Sequence, residues 1–126
     1  MIPYHEAADL DVYLEDSFVL GIEETPGVLR FRLDAVLTPE HPDWHPPHPG
    51  EQHCYVGAHL TFRACTRVEW ISRTGATYTD ASGEADHGNI DTMTRHPTHW
   101  HLTGDWGEVR VHTTEPPALE PIDLRR

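Results

Sequence analysis

Residues 55–71 read Tyr-Val-Gly-Ala-His-Leu-Thr-Phe-Arg-Ala-Cys-Thr-Arg-Val-Glu-Trp-Ile, the longest stretch in which apolar residues persist without a proline. Apolar side chains recur at every second position, first at Leu60 and Phe62 and then at Val68 and Trp70. A period of two, with β-branched and aromatic residues, predicts β-strands and argues against a helix. Because Trp70 is the largest apolar side chain of the stretch, we expect it at the centre of the core.

A β-hairpin is predicted before this stretch, around the turn sequence Glu-Thr-Pro-Gly at residues 24–27. Proline followed by glycine suits the central positions of a tight turn. Before the turn, the apolar face is expected to carry Phe18, Leu20 and Ile22. After the turn, apolar and polar residues alternate, which predicts a sheet with one side in water. The apolar residues there are Leu29, Phe31, Leu33 and Ala35, and the polar ones are Arg30, Arg32 and Asp34.

A second hairpin is predicted around the turn residues 104–107. Each of its strands alternates apolar side chains with histidines, charged or other polar residues. Pairing Thr103 with Glu108 sets its register and brings His99 beside His112. The apolar residues of this hairpin are Trp100, Leu102, Val109 and Val111.

The remaining segments lie before, between and after these strands. Residues 38–52 contain five prolines, which cannot donate to a sheet ladder, so this segment is predicted to be a loop. Residues 80–91 form a second polar loop, residues 115–126 a surface tail, and residues 1–16 are undecided between a helical turn and an edge strand. The 126 residues are therefore expected to form one all-β domain. We predict an antiparallel β-sandwich or a partly open barrel of about seven strands, with little helix.

The charge of the chain restricts its partners. Twenty-one acidic residues against nine arginines give a net charge of −12, and there is no lysine. The absence of lysine excludes Schiff-base chemistry and a phosphate-loop lysine. Because phosphate backbones and anionic membranes repel an acidic surface, neither nucleic acid nor membrane is an expected partner. A protein partner with a basic surface is expected, and a homodimer is compatible with the sequence. The first residues lack a signal-peptide pattern, so a cytoplasmic location is expected.

Eleven histidines make a metal site the main chemical alternative. Zinc requires imidazoles or carboxylates that converge at about 2.0–2.2 Å. The predicted register makes His99 and His112 cross-strand neighbours, and His101 lies two residues from His99 on the same strand. Glu108 is predicted to point elsewhere. We therefore take His99, His101 and His112 as the candidate zinc ligands, against the alternative that they are ordinary surface residues and that the protein needs no cofactor.

Candidate contact residues lie in the loops. Residues 80–91 are acidic, but this loop lacks the central glycine and the flanking helices of a calcium-binding EF-hand. Asp80 and Asp86 are kept as candidate contacts to a ligand or partner. Trp44 in the proline-rich loop and Trp106 in the hairpin turn are candidates to contact a partner or a sugar. For Trp44 the alternative is that it folds back over the sheet.

No catalytic residue is predicted, because no serine lies in a Gly-x-Ser-x-Gly sequence and nothing selects an acid–base pair.

The chain resembles small uncharacterised bacterial β-rich proteins of the immunity type. The resemblance rests on the strand pair at 17–37, the Pro-x-Trp loop at 42–49, Leu-x-Phe at 60–62 and Gly-x-Val-x-Val at 107–111. Such proteins block a toxin by binding it. The resemblance implies a non-enzymatic bacterial protein that acts by protein–protein binding. The alternatives are a metal-binding or metalloenzyme domain, and a small-ligand or carbohydrate-binding β domain.

Overall fold

The computed structural model describes residues 2–4, 10–74, 78–79 and 85–122. Within these residues the chain forms a series of β-strands joined by turns and one long loop. The strands are β1 (Ile2–Pro3), β2 (Val12–Thr25), β3 (Val28–Leu37), β4 (Tyr55–Phe62), β5 (Arg67–Arg73), β6 (Tyr78–Thr79), β7 (Ala85–Asp86), β8 (Ile90–Arg95), β9 (Trp100–Gly104), β10 (Gly107–His112) and β11 (Ala118–Pro121).

Two antiparallel sheets pack face to face. One has five strands in the order β1-β8-β9-β10-β5, the other has four in the order β11-β4-β3-β2, and β6 and β7 form a separate small ribbon. The apolar faces of both sheets contribute to one buried cluster. The prediction of an all-β fold is confirmed, and of the two architectures considered it is the sandwich. No helix in the described part of the chain is long and apolar enough to cross a membrane.

The first hairpin is confirmed, with Pro26 and Gly27 connecting β2 to β3. Gly27 has a φ of 77°, which glycine adopts most readily. In β3 every second side chain from residue 29 to residue 35 is fully buried, as predicted. The predicted face of β2 is wrong at Phe18 and Leu20, because Val19 is buried in their place, but Ile22 packs against the core as predicted. The pairing of β2 with β3 is irregular on both sides of this segment, and such a bulge exchanges the two faces of a strand.

Residues 55–71 belong to two strands in different sheets. The chain leaves β4 after Phe62 and enters β5 at Arg67, so this segment crosses from one sheet to the other. At the crossing, Ala64 has a φ of 53°. The backbone amide of Cys65 donates to the Gly27 carbonyl of the four-stranded sheet at 3.0 Å. The prediction of β-strands for these residues is therefore correct, but the alternating residues belong to two sheets and do not form one continuous face.

The aromatic core is centred on Trp100 and Trp106, each only 1% exposed. The ring of Trp100 lies 6.3 Å from that of Phe62, and the ring of Trp106 lies 5.1 Å from that of Phe31. Both contacts join the two sheets. Trp70 lies on the edge strand β5 and is half-buried, so the prediction that it is the central core residue is wrong. An edge strand leaves one side of such a ring without a neighbouring strand.

The second hairpin has the predicted register, with Thr103 paired to Glu108 and Trp100 to Val111. The segment 38–54 is a loop, in agreement with the prediction for residues 38–52. The end of the predicted 80–91 loop is instead part of β8, which begins at Ile90. Residues within the predicted surface tail form β11, which pairs with β4.

Candidate functional site

A cleft of about 810 Å³ lies on the outer face of the four-stranded sheet, against the 38–54 loop. Outward-facing residues of β3 and β4 form its floor, because the alternate side chains of those strands fill the core. The loop and the end of β11 form its walls. Its lining residues are Asp34, Asp43, His45, His48, Glu51, Tyr55, Val56, Gly57, Pro121 and Ile122. We refer to it as the acidic cleft.

The loop that walls the acidic cleft is fixed at its base and at its middle. The Leu37 amide donates to the Cys54 carbonyl at 3.0 Å, which closes the base of the loop. The amide of His45 donates to the sulfur of Cys54 at 3.3 Å, which ties down its middle. Trp44 is half-buried and packs against the core. Its indole therefore folds back over the sheet, as the alternative interpretation of this residue anticipated.

Negative charge is concentrated in the acidic cleft. Asp34, Asp43 and Glu51 line it, and within residues 2–4, 10–74, 78–79 and 85–122 its lining includes no arginine. Burial raises the pKa of the Tyr55 hydroxyl, and the carboxylates of Asp34 and Glu51 raise it further. Because nearby negative charge disfavours an anionic phenolate, this pKa shift is a second sign of negative potential in the cleft. The site is therefore suited to a cation.

The histidine side chains near the acidic cleft form a stack. The rings of His45 and His48 lie 4.6 Å apart and are nearly parallel, at 12°. His48 approaches the Glu51 carboxylate, with Nδ1 3.4 Å from Oε1. The stack adds polar surface to the wall without adding charge while the rings are neutral.

Four further histidines lie on the outer face of the five-stranded sheet, which we call the histidine face. His96 is hydrogen-bonded across the β8–β9 turn to His99, and His112 pairs with Arg67 of β5. His101 occupies the next row, opposite Arg110. The rings of His96 and His99 are stacked at 4.5 Å and 6°, and those of His99 and His112 lie 5.4 Å apart.

Two of these histidines are held by carboxylates. The ring nitrogen Nε2 of His101 lies 2.6 Å from Glu108 Oε2, and Nε2 of His112 lies 3.0 Å from Glu69 Oε1. The prediction that Glu108 points elsewhere is wrong. Because Thr103 pairs with Glu108, the odd-numbered residues of β9 and the even-numbered residues of β10 share this face.

The pKa values of the histidine face follow from these contacts. The hydrogen bond from His112 lowers the pKa of Glu69 below its ordinary value. Burial lowers the pKa of His96 and of His99, and neighbouring positive charge lowers them further. Both rings are therefore neutral at pH 7.

The predicted zinc ligands His99, His101 and His112 share one face, but they do not form a three-ligand centre. His101 and His112 turn toward different carboxylates. Among the described residues, no group of three or more His, Cys, Asp or Glu is arranged to hold a metal ion.

Two of the predicted contact residues are structural. Trp106 is buried, and its indole Nε1 donates to the Asn89 carbonyl at 3.0 Å, so the prediction that it contacts a partner is wrong. Asp86 is 7% exposed, and its Oδ1 accepts a hydrogen bond from the Gly88 amide at 2.7 Å, which shapes a turn. Asp80 lies outside the described residues.

The side chains of Ser17, Cys54 and Cys65 are also engaged in the fold. The hydroxyl of Ser17 is buried and is hydrogen-bonded between two backbone groups. The sulfur of Cys54 accepts a hydrogen bond from the backbone of His45, and the thiol of Cys65 donates to a backbone carbonyl at 3.5 Å. Neither cysteine is paired with a histidine side chain in these contacts.

The acidic cleft was missed by sequence reasoning. Asp34 was identified only as an outward-facing residue of β3, and Glu51 and Tyr55 were not singled out. The available signal was the outward face of β3 and β4 next to a long loop, which is where a loop can form a wall.

No protein-family model, curated protein sequence or solved structure matches this chain.

Proposed function

We propose that this protein acts by binding a basic protein partner, and that the acidic cleft receives cationic side chains of that partner. The observation that carries the proposal is the cleft itself, whose described lining contains the three carboxylates of Asp34, Asp43 and Glu51. Its volume of about 810 Å³ falls within the range of sites that enclose side chains and small ligands.

The charge of the whole chain supports the same proposal. A net charge of −12 attracts a basic protein over distances of about a Debye length, roughly 8–10 Å at physiological salt. Such steering raises association rates and disfavours acidic partners. The carboxylates of the acidic cleft then supply a specific contact site for cationic side chains of the partner. The resemblance to immunity-type proteins supports a non-enzymatic, cytoplasmic, bacterial protein of this kind.

The competing proposal of a carbohydrate-binding domain has less support. It relied on Trp44 and Trp106 as platforms for a sugar ring. Trp106 is only 1% exposed, and Trp44 packs against the core. A sugar-binding site needs an exposed aromatic face, which Trp106 does not supply and Trp44 supplies only in part.

The proposal is tested by calorimetric titration of the protein with a nonaarginine peptide at physiological salt. In the double variant Asp34→Asn/Glu51→Gln we expect affinity to fall by about tenfold or more, since close charge pairs at interfaces contribute on the order of 1.5 kcal/mol or more. The matched control is Glu23→Gln/Glu115→Gln. It removes the same charge from two exposed residues that do not line the cleft.

The control variant separates the cleft from overall charge. We expect it to bind nonaarginine as the wild type does, apart from a small change in salt dependence. Equal loss of affinity in both double variants would mean that the peptide responds to net charge alone, and the proposal for the cleft would be abandoned.

A further inference from the structure

The histidine face contains a pair of imidazoles at the spacing of two ligands on one metal ion. His99 directly precedes β9 and His112 is the last residue of β10, and their ring centroids are 5.4 Å apart with a tilt of 38°. Two imidazoles bound tetrahedrally to one Zn²⁺, with metal–nitrogen distances of about 2.0–2.1 Å, place their ring centroids roughly 5 Å apart. The backbone therefore already holds these two rings at the distance that chelation requires.

Glu69 orients one ring of this pair. Its carboxylate accepts a hydrogen bond from His112 Nε2 at 3.0 Å, which leaves Nδ1 as the nitrogen that can bind a metal ion. Carboxylates commonly orient metal-binding histidines in this way.

The remaining residues define how many ligands the protein supplies. His96 lies flat against His99, at 6°, an orientation that supports the ring of His99 but does not aim at a shared metal. The ring of His101 lies against that of His96, with their centroids 6.1 Å apart, so we leave it out of the pair. Two protein ligands remain, and water completes the coordination of an ion on this partly exposed face.

We propose that His99 and His112 form a two-histidine site for a divalent transition-metal ion that favours imidazole, with Zn²⁺ as the representative ion and Glu69 as the residue that positions His112. The site is independent of the acidic cleft, which lies on the other sheet. The hairpin holds the two ligands near each other, because they directly adjoin the paired residues Trp100 and Val111.

The test is isothermal titration of tag-free, chelator-treated protein with ZnCl₂ at pH 7.5. We expect saturable binding that is lost in His99→Gln and in His112→Gln. Glu69→Gln is expected to weaken it by about tenfold, as removal of a supporting carboxylate commonly does. The matched control is His45→Gln, which disrupts the other exposed histidine stack and should leave Zn²⁺ binding unchanged.

A second measurement identifies the ligands in the wild-type protein, in case a variant fails to fold. Sub-stoichiometric Cu²⁺ should broaden the imidazole resonances of His99 and His112 before those of His45 and His48. The proposal is overturned if wild-type protein does not bind Zn²⁺, if His45→Gln removes the binding that His99→Gln retains, or if Cu²⁺ broadens the loop histidines first.

Discussion

Trp106 lies in a hairpin turn and contacts several parts of the core. Its ring lies 5.1 Å from Phe31 of the opposite sheet and 6.0 Å, perpendicular, from Trp70 on β5. Its Nε1 satisfies the Asn89 carbonyl. One side chain thus connects the two sheets, an edge strand and the segment before β8.

We expect Trp106→Ala to lower the free energy of unfolding by about 3–5 kcal/mol, through the loss of packing and the cavity that remains. Urea denaturation followed by circular dichroism measures this change. Trp44→Ala is the control. Its indole is half-buried at the loop, so its loss should cost clearly less. Equal costs for the two variants would contradict the central role of Trp106.

The positions of the tryptophans were the weakest part of the prediction at this scale. Periodicity reports which face a side chain occupies, but it does not report whether its strand is central or at an edge. Trp70 has the correct alternation and lies on an edge strand. Trp106 lies in a turn, where side chains are usually exposed, and is buried because the turn folds over the core.

At the scale of elements, β10 begins at a backbone position that excludes other side chains. Gly107 has a φ of 136°, and a Cβ atom there would collide with the carbonyl oxygen of Ser72 on β5. Gly27, in the first hairpin, also has a positive φ, but the nearest atom to its added Cβ would be the Cys65 carbonyl oxygen at 4.0 Å. Replacing each glycine by alanine therefore separates two costs. At Gly27 the cost is that of a positive φ alone, and at Gly107 a steric collision is added.

Gly27→Ala is expected to cost about 1–2 kcal/mol, the penalty of the left-handed region for an alanine. Gly107→Ala should cost more, because it adds displacement of β5 to an unfavourable backbone conformation. Urea midpoints of the two variants, compared with that of the wild type, give the difference. If Gly107→Ala were no worse than Gly27→Ala, β5 would have to move without cost.

Both hairpins could be predicted because their register is determined locally, by turn residues and the alternation beside them. The register of β9 and β10 was predicted pair by pair. The bulges of β2 and the crossing between β4 and β5 could not be predicted, since they depend on contacts far apart in sequence. The acidic cleft was missed for the same reason, whereas the histidine face follows directly from the hairpin register.

The whole molecule carries a charge that depends strongly on pH. Protonating all eleven histidines would raise the formal net charge of −12 by eleven, to −1. A net charge near zero removes the repulsion that keeps molecules apart. His96 and His99 should protonate late in this titration, because their pKa values lie below the ordinary value.

We therefore expect solubility to fall as the pH decreases from about 7 to about 5, the range in which histidines gain their charge. Static light scattering at constant protein concentration measures this change. A parallel series at pH 7 to 8 serves as the control and should remain flat. Scattering that also remained flat down to pH 5 would show that net charge does not limit the solubility of this protein.

The hydrogen bond between the His45 amide and the Cys54 sulfur gives the chain an internal reporter. Cys54 is 2% exposed, so an alkylating reagent can reach it only when the loop lifts from the sheet or the domain unfolds. Cys65 is half-buried in the crossing between the sheets, and burial raises the pKa of its thiol. Its slow alkylation provides a reference rate in the same molecule. Comparing the alkylation rates of the two thiols with the rate of global unfolding would reveal how often the wall of the cleft opens while the sandwich stays intact.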